Sequence, residues 1–71
     1  MTMGRVEKKE PVEFEDIAVE KETEMAILVE IEGDKYWLPK SQIHEDSEVK
    51  EEGDEGTLVT THWWAEKEGL T

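Results

Sequence analysis

The sequence predicts an α+β fold: a small, curled, barrel-like antiparallel sheet of four to five strands, with one short C-terminal helix. Three observations predict it. Residues 12–15 alternate apolar and acidic side chains, the period of a half-buried strand. Residues 25–31 form a nearly continuous apolar run, followed by a Gly-containing turn and a second apolar run. Residues 62–70 begin after threonines, carry two tryptophans and end on Gly69 and Leu70, which is the grammar of a short capped helix.

Residues 1–10 are charged and aperiodic and are expected to form a flexible arm, leaving residues 11–71 as a single domain. After Pro11, Val12 and Phe14 face one way and Glu13 and Glu15 the other. The phase slips near Asp16, because Ile17 and Val19 share the parity of the two glutamates. A bulge or a break between short strands would absorb that slip. Residues 21–24 read as a charged connection. Residues 25–31 (Met-Ala-Ile-Leu-Val-Glu-Ile) are apolar on both faces and are expected at the centre of the sheet. Glu32-Gly33-Asp34 is a turn signal, so a hairpin returns through residues 35–40. There Tyr36 and Leu38 share one face, and Lys35 and Trp37 the other. Pro39 has no N–H for a ladder, so it ends the strand or marks an edge. Ser41-Gln42-Ile43 would extend briefly. Residues 44–56 hold seven acids, two glycines and the lone apolar Val49, a composition expected of a solvated loop. Residues 57–61 are β-prone. The helix follows, capped by Thr60 or Thr61, with Gly69 at the left-handed position beyond its end and Leu70 packing back. Two turns of helix are unstable alone, so the tryptophans must dock it onto the sheet.

Composition bounds the function. The chain has 71 residues, 20 Asp and Glu against 8 Lys and Arg, and a net charge of −12. Low hydropathy with such charge is also a mark of disorder; the clustered and regular apolar residues oppose it. A chain this short buries only about 60% of its unfolded surface. Cysteine is absent, so neither a disulfide nor a thiolate metal site is available. That absence suggests a reducing, cytoplasmic setting. No run of about 20 apolar residues spans a membrane, and the first residues lead into charge. Acidity disfavours direct contact with nucleic acid or anionic lipid and favours a basic partner.

The chemical motifs fail on inspection. Residues 45–55 invite a calcium loop, which needs a Gly at its sixth position and alternating ligands. Starting at Asp46 puts Glu51 at the sixth position, and starting at Glu48 puts Lys50 on a ligand position. His44 and His62 lack metal-ligand spacing. Gly53-Asp54-Glu55-Gly56 has the spacing of a nucleic-acid clamp loop, but it is acidic where that use needs a phosphate-friendly surround. Ser41 and Ser47 lie in no nucleophile motif. No cofactor, no metal and no catalysis are expected.

Two signals remain. Consecutive outward side chains on a strand stand about 6.6 Å apart. Glu13 with Glu15, Glu20 with Glu22 and Glu24, and Glu30 with Glu32 would form carboxylate rows, which imitate a phosphate backbone when carried on a twisted sheet. Generic solubility, as in halophiles, is the plainer account of such acidity, although seven lysines suit a halophile poorly. The second signal is aromatic. Trp63 and Trp64 are adjacent and cannot both face inward, while Trp37 opposes Tyr36 and Leu38 across the sheet. An exposed Trp beside acids suits an interface.

Small size, strong acidity, absent cysteine and a β-rich pattern resemble the DNA-mimic proteins of phages and mobile elements, among them anti-CRISPR proteins and restriction inhibitors. Tyr36-Trp37-Leu38-Pro39-Lys40-Ser41-Gln42-Ile43 and the ending Trp64-Ala65-Glu66-Lys67-x-Gly69-Leu70 also look like short phage and prophage proteins. The resemblance implies an inhibitor in the host cytoplasm that occupies the Lys- and Arg-rich groove of a nucleic-acid-binding defence complex. Its expected contact residues are Glu13, Glu15, Glu30, Glu32 and Asp34, the loop acids Glu45, Asp46, Glu48, Glu51, Glu52, Asp54 and Glu55, and Trp37 and Trp64. The alternative is an accessory module of a phage replication or recombination complex, in which exposed Trp makes the contact. A monomer or weak dimer is expected in either case.

Overall fold

The computed structural model describes residues 10–71; apart from Glu10, the expected N-terminal arm lies outside the described residues. Strands β1 (Val12–Glu22), β2 (Ala26–Ile31), β3 (Asp34–Pro39) and β4 (Glu55–Thr60) and a helix α1 (His62–Lys67) follow in order. The strands make one antiparallel sheet in the order β3-β2-β1-β4. β3 and β4 stand at its opposite ends, so the sheet is open and the expected barrel-like closure is absent.

β1 runs through the expected connection to Glu22. Its first part pairs with β4, up to Ala18 against Glu55, and its last part with β2, from Val19 against Val29. The register slips between Phe14 and Ile17, where Asp16 takes φ 60°, and again between Val19 and Lys21. The first slip is the bulge that the apolar phase predicts. Together the slips bend one strand so that it serves two partners.

β2 is internal, flanked by β1 and β3. Ile27, Val29 and Ile31 are buried, whereas Ala26 and Leu28 are half-buried and Glu30 is exposed. The hairpin to β3 turns on Glu32 at φ 53° and Gly33 at φ 90°. Positive φ at both central residues matches the right-handed strand twist. Pro39 closes β3 at the edge of the sheet.

Two expectations about the next segment need correction. Ser41 and Gln42 do not extend β3; Lys40–Gln42 form a 3-10 turn, closed by the Ile43 N–H donating to the Lys40 carbonyl at 3.2 Å. Only Ile43 bridges to Thr60. Nor is the acidic segment wholly solvated. Val49 is fully buried and Ser47 nearly so, because residues 42–48 run along the outer side of β4. The His44 N–H donates to the Val59 carbonyl at 2.8 Å, Glu48 N–H to Thr57 carbonyl at 2.9 Å, and Thr61 N–H to Gln42 carbonyl at 3.0 Å.

Helix α1 is capped by Thr61, whose Oγ1 accepts from the Trp64 N–H at 3.3 Å. Gly69 has φ 78° and the Leu70 N–H returns to the Ala65 carbonyl at 2.8 Å, satisfying carbonyls that the helix end leaves open. Trp64 and Ala65 bury into the core with Ile17, Val19, Ile27, Val29, Ile31, Leu38, Val49 and Leu58. The Tyr36 and Trp64 rings meet edge to face, with centroids 6.0 Å apart and planes at 80°. A fully buried Trp removes roughly 150–250 Å² from water, worth about 4–6 kcal/mol at 25 cal/mol per Å². That burial is what holds so short a helix in place.

Candidate partner-binding surface

The two faces of the sheet divide the side chains. One face is the core; the other is open and carries the charge. On the open face the bulge at Asp16 and the β2–β3 turn approach each other. Glu15, Asp16, Glu20, Glu30 and Glu32 line one shallow concavity with Ile17, Ala18 and Gly33. Glu55 is the cross-strand neighbour of Ala18 and lies at its margin. Glu13 precedes the concavity on β1 and Asp34 follows its turn, both exposed. Glu15, Asp16, Glu30 and Glu32 have no ion-pair partner among the described residues. Lys35 intrudes: its Nζ donates to Glu20 Oε1 at 2.9 Å. That hydrogen bond, with the Glu20 charge, raises the Lys35 pKa above its ordinary value. Lys35 is also the cross-strand partner of Glu30.

The expected rows are thus rearranged. Glu15, Glu30 and Glu32 come together, joined by Asp16 and Glu20, which the expected contact residues omit. The phase slip at Asp16 was the signal for the first of these. The row of Glu20, Glu22 and Glu24 does not form, because the second register slip separates Glu20 from Glu22. Glu22 is instead opposite Ile27 and engages Lys40 Nζ at 2.6 Å while accepting from the Glu52 N–H at 3.1 Å. The Lys40 hydrogen bond first, and the Glu52 N–H second, lower its pKa.

The loop acids are not part of the concavity. Several of them build the segment that carries them. Asp54 Oδ2 accepts from the N–H groups of Lys50 and Glu51, both at 2.9 Å, and these two bonds lower its pKa. Glu48 Oε1 accepts from the Thr57 N–H at 3.0 Å. The Asp46 N–H donates to His44 Nδ1 at 3.0 Å. Glu45, Asp46, Glu51 and Glu52 are exposed along a separate rim.

The tryptophans require one correction. Trp64 is 1% exposed and sits in the core, so no partner can touch it without unfolding the helix dock. The exposed member of the pair is Trp63, 60% exposed with Lys67 Nζ 5.6 Å from its ring centroid. Trp37 is 51% exposed and faces Leu28 across the open side of the sheet, with Lys21 next in line on β1.

Among the described residues no group of three or more His, Asp or Glu side chains is placed to hold a metal. No helix among them is long and apolar enough to cross a membrane. In comparisons with protein-family models, curated proteins and solved structures, nothing matches this chain.

Proposed function

We propose that this protein is a non-enzymatic inhibitor of the DNA-mimic type, which binds the basic nucleic-acid groove of a host defence complex and excludes DNA by competition. The observation that carries the proposal is the concavity of Glu15, Asp16, Glu20, Glu30 and Glu32, where carboxylates gather on a rigid sheet. The sheet fixes the backbone beneath these carboxylates, so only side-chain freedom is lost on meeting Lys and Arg. Their summed field attracts a basic surface at long range, so association quickens and affinity falls as salt rises.

The test is retention from a lysate of bacteria that carry CRISPR and restriction systems. The native chain retains a nucleic-acid-binding complex, which moderate salt and duplex DNA displace. Reversing Glu15, Glu30 and Glu32 to Lys together weakens retention by about tenfold or more. Unchanged binding by that triple variant would reject the mechanism.

A second reading, an accessory interaction module of a phage replication or recombination complex, is favoured by the exposed Trp37. In that case Trp37→Ala abolishes retention while the charge reversals leave it intact.

A further inference from the structure

The open edge of the sheet is β3. The corresponding side of β4 is occupied by residues 42–48, so of the two strands that end the sheet β3 is the one with an uncovered rim. Its hydrogen-bonding phase follows from one contact. The Lys40 N–H donates to the Met25 carbonyl at 2.8 Å, and bonded and non-bonded pairs alternate along an antiparallel ladder. The pairs Ala26–Pro39, Leu28–Trp37 and Glu30–Lys35 are therefore the non-bonded ones. The N–H and carbonyl groups of Lys35 and Trp37, and the Pro39 carbonyl, point out of the sheet. Pro39 has no N–H to waste there.

We propose that this edge pairs with the β3 edge of a second copy of the chain, antiparallel and centred on Trp37, to make a twofold dimer with one continuous sheet. The rim is self-complementary. In that register Trp37 meets Trp37 of the second copy and exchanges two hydrogen bonds with it. Each Lys35 N–H reaches the Pro39 carbonyl opposite. The indole rings, half exposed in one copy, lie side by side over Leu28 on the open face.

Charge selects the same edge. Asp34 comes opposite Lys40 of the second copy, and Lys40 then stands between that carboxylate and its own Glu22. Elsewhere the sheet would bring acid against acid: Glu13, Glu15, Asp16 and Glu20 on β1, and Glu55 on β4. Between β3 and Lys40 the charges are Asp34, Lys35 and Lys40, so this is where two copies of charge −12 approach at least cost. Lys and Pro on an edge also discourage indefinite pairing. A twofold contact uses both β3 edges at once, β4 is covered, and the first part of β1, unpaired on its side away from β4 among the described residues, carries Glu13, Glu15 and Asp16 against any copy, so assembly stops at two.

The dimer has a salt dependence opposite in sign to that of a basic partner. Two acidic copies repel at long range, and salt screens that repulsion, so the dimer tightens as salt rises. This proposal is independent of the inhibitor proposal, and either can fail alone.

Sedimentation equilibrium over a concentration series, at low and high salt, tests it. The mass should rise from one chain to two, at lower concentration in high salt. Trp37→Glu should remain at one chain throughout with an unchanged far-UV circular dichroism spectrum. A single-chain mass at every concentration and salt, or a dimer that survives Trp37→Glu, would overturn the proposal. Amide exchange of the unmodified protein supplies a readout that needs no variant. The Lys35 and Trp37 amides should slow by about tenfold or more between dilute and concentrated samples, and equal rates in both would also overturn it.

Discussion

The β2–β3 hairpin and the acidic crossover between β3 and β4 are neighbours in sequence, built by different forces. In the hairpin, alternate side chains of β2 bury, Leu38 and Tyr36 answer them from β3, and the backbone bonds itself. In the crossover only Ser47 and Val49 are buried, and side chains take over the work of a ladder. Asp54 holds two backbone N–H groups, Glu48 one and Ser47 one. Glu22 reaches in from β1 for another. The difference teaches that acids of identical type have separate duties. On the open face Glu15, Asp16, Glu30 and Glu32 have no ion-pair partner among the described residues, while Glu20 holds Lys35; in the crossover several acids are internal hydrogen-bond acceptors.

The largest effect should come from the hairpin. Leu38 is fully buried, and Leu38→Ala removes apolar contacts and leaves a cavity. A loss of about 2–5 kcal/mol is expected, read from the urea midpoint at unchanged slope. A loss no greater than that of Ser47→Ala would mean that the hairpin is not the stronger half.

Ser47→Ala probes the crossover. The Ser47 hydroxyl donates to the Val49 carbonyl at 2.9 Å and accepts from the buried Val59 N–H at 3.1 Å. Alanine leaves that N–H without a partner, at a cost of about 1–3 kcal/mol. A melt unchanged by the substitution would show that the Ser47 hydroxyl does not hold the crossover.

These two residues also show what sequence can and cannot reveal. Leu38 declares itself, because alternation with Tyr36 and the Gly33 turn fix its face locally. The bulge at Asp16, the Thr61 cap and the Gly69 terminus are legible for the same reason: each is written within a few residues. Ser47 looks like any loop serine. Its partner Val59 is distant in sequence, as Glu52 is from Glu22, and no period connects them. The candidate site shares this limit. Glu15, Glu30 and Glu32 are evident as outward acids, yet their meeting with Asp16 and Glu20 depends on two register slips, of which only the first disturbs the apolar pattern. Trp63 and Trp64 are equivalent in sequence until the helix phase is set by Thr61; only then does Trp64 turn to the core.

The smallest effect is a pH dependence that separates the crossover acids from the free ones. Asp54 has a folded pKa below its ordinary value because it accepts from Lys50 and Glu51. The unfolded chain therefore binds a proton first as pH falls. The stabilisation is fully present above the ordinary Asp range and is lost as pH drops through the folded value. Glu22, lowered by Lys40, acts in the same direction. Stability against pH also carries the long-range self-repulsion of a −12 chain, which weakens as net charge falls. Total stability against pH mixes both effects, so the useful quantity is the gap between the native chain and Asp54→Asn. Asn keeps the acceptor oxygen and drops the charge. The gap should be small but measurable at neutral pH in urea melts, and should close as pH falls below the ordinary carboxylate range. A gap that persists unchanged into acid would mean that the side chain shapes the turn without its charge. The crossover would then be held by geometry, and its acids would not differ electrostatically from those of the open face.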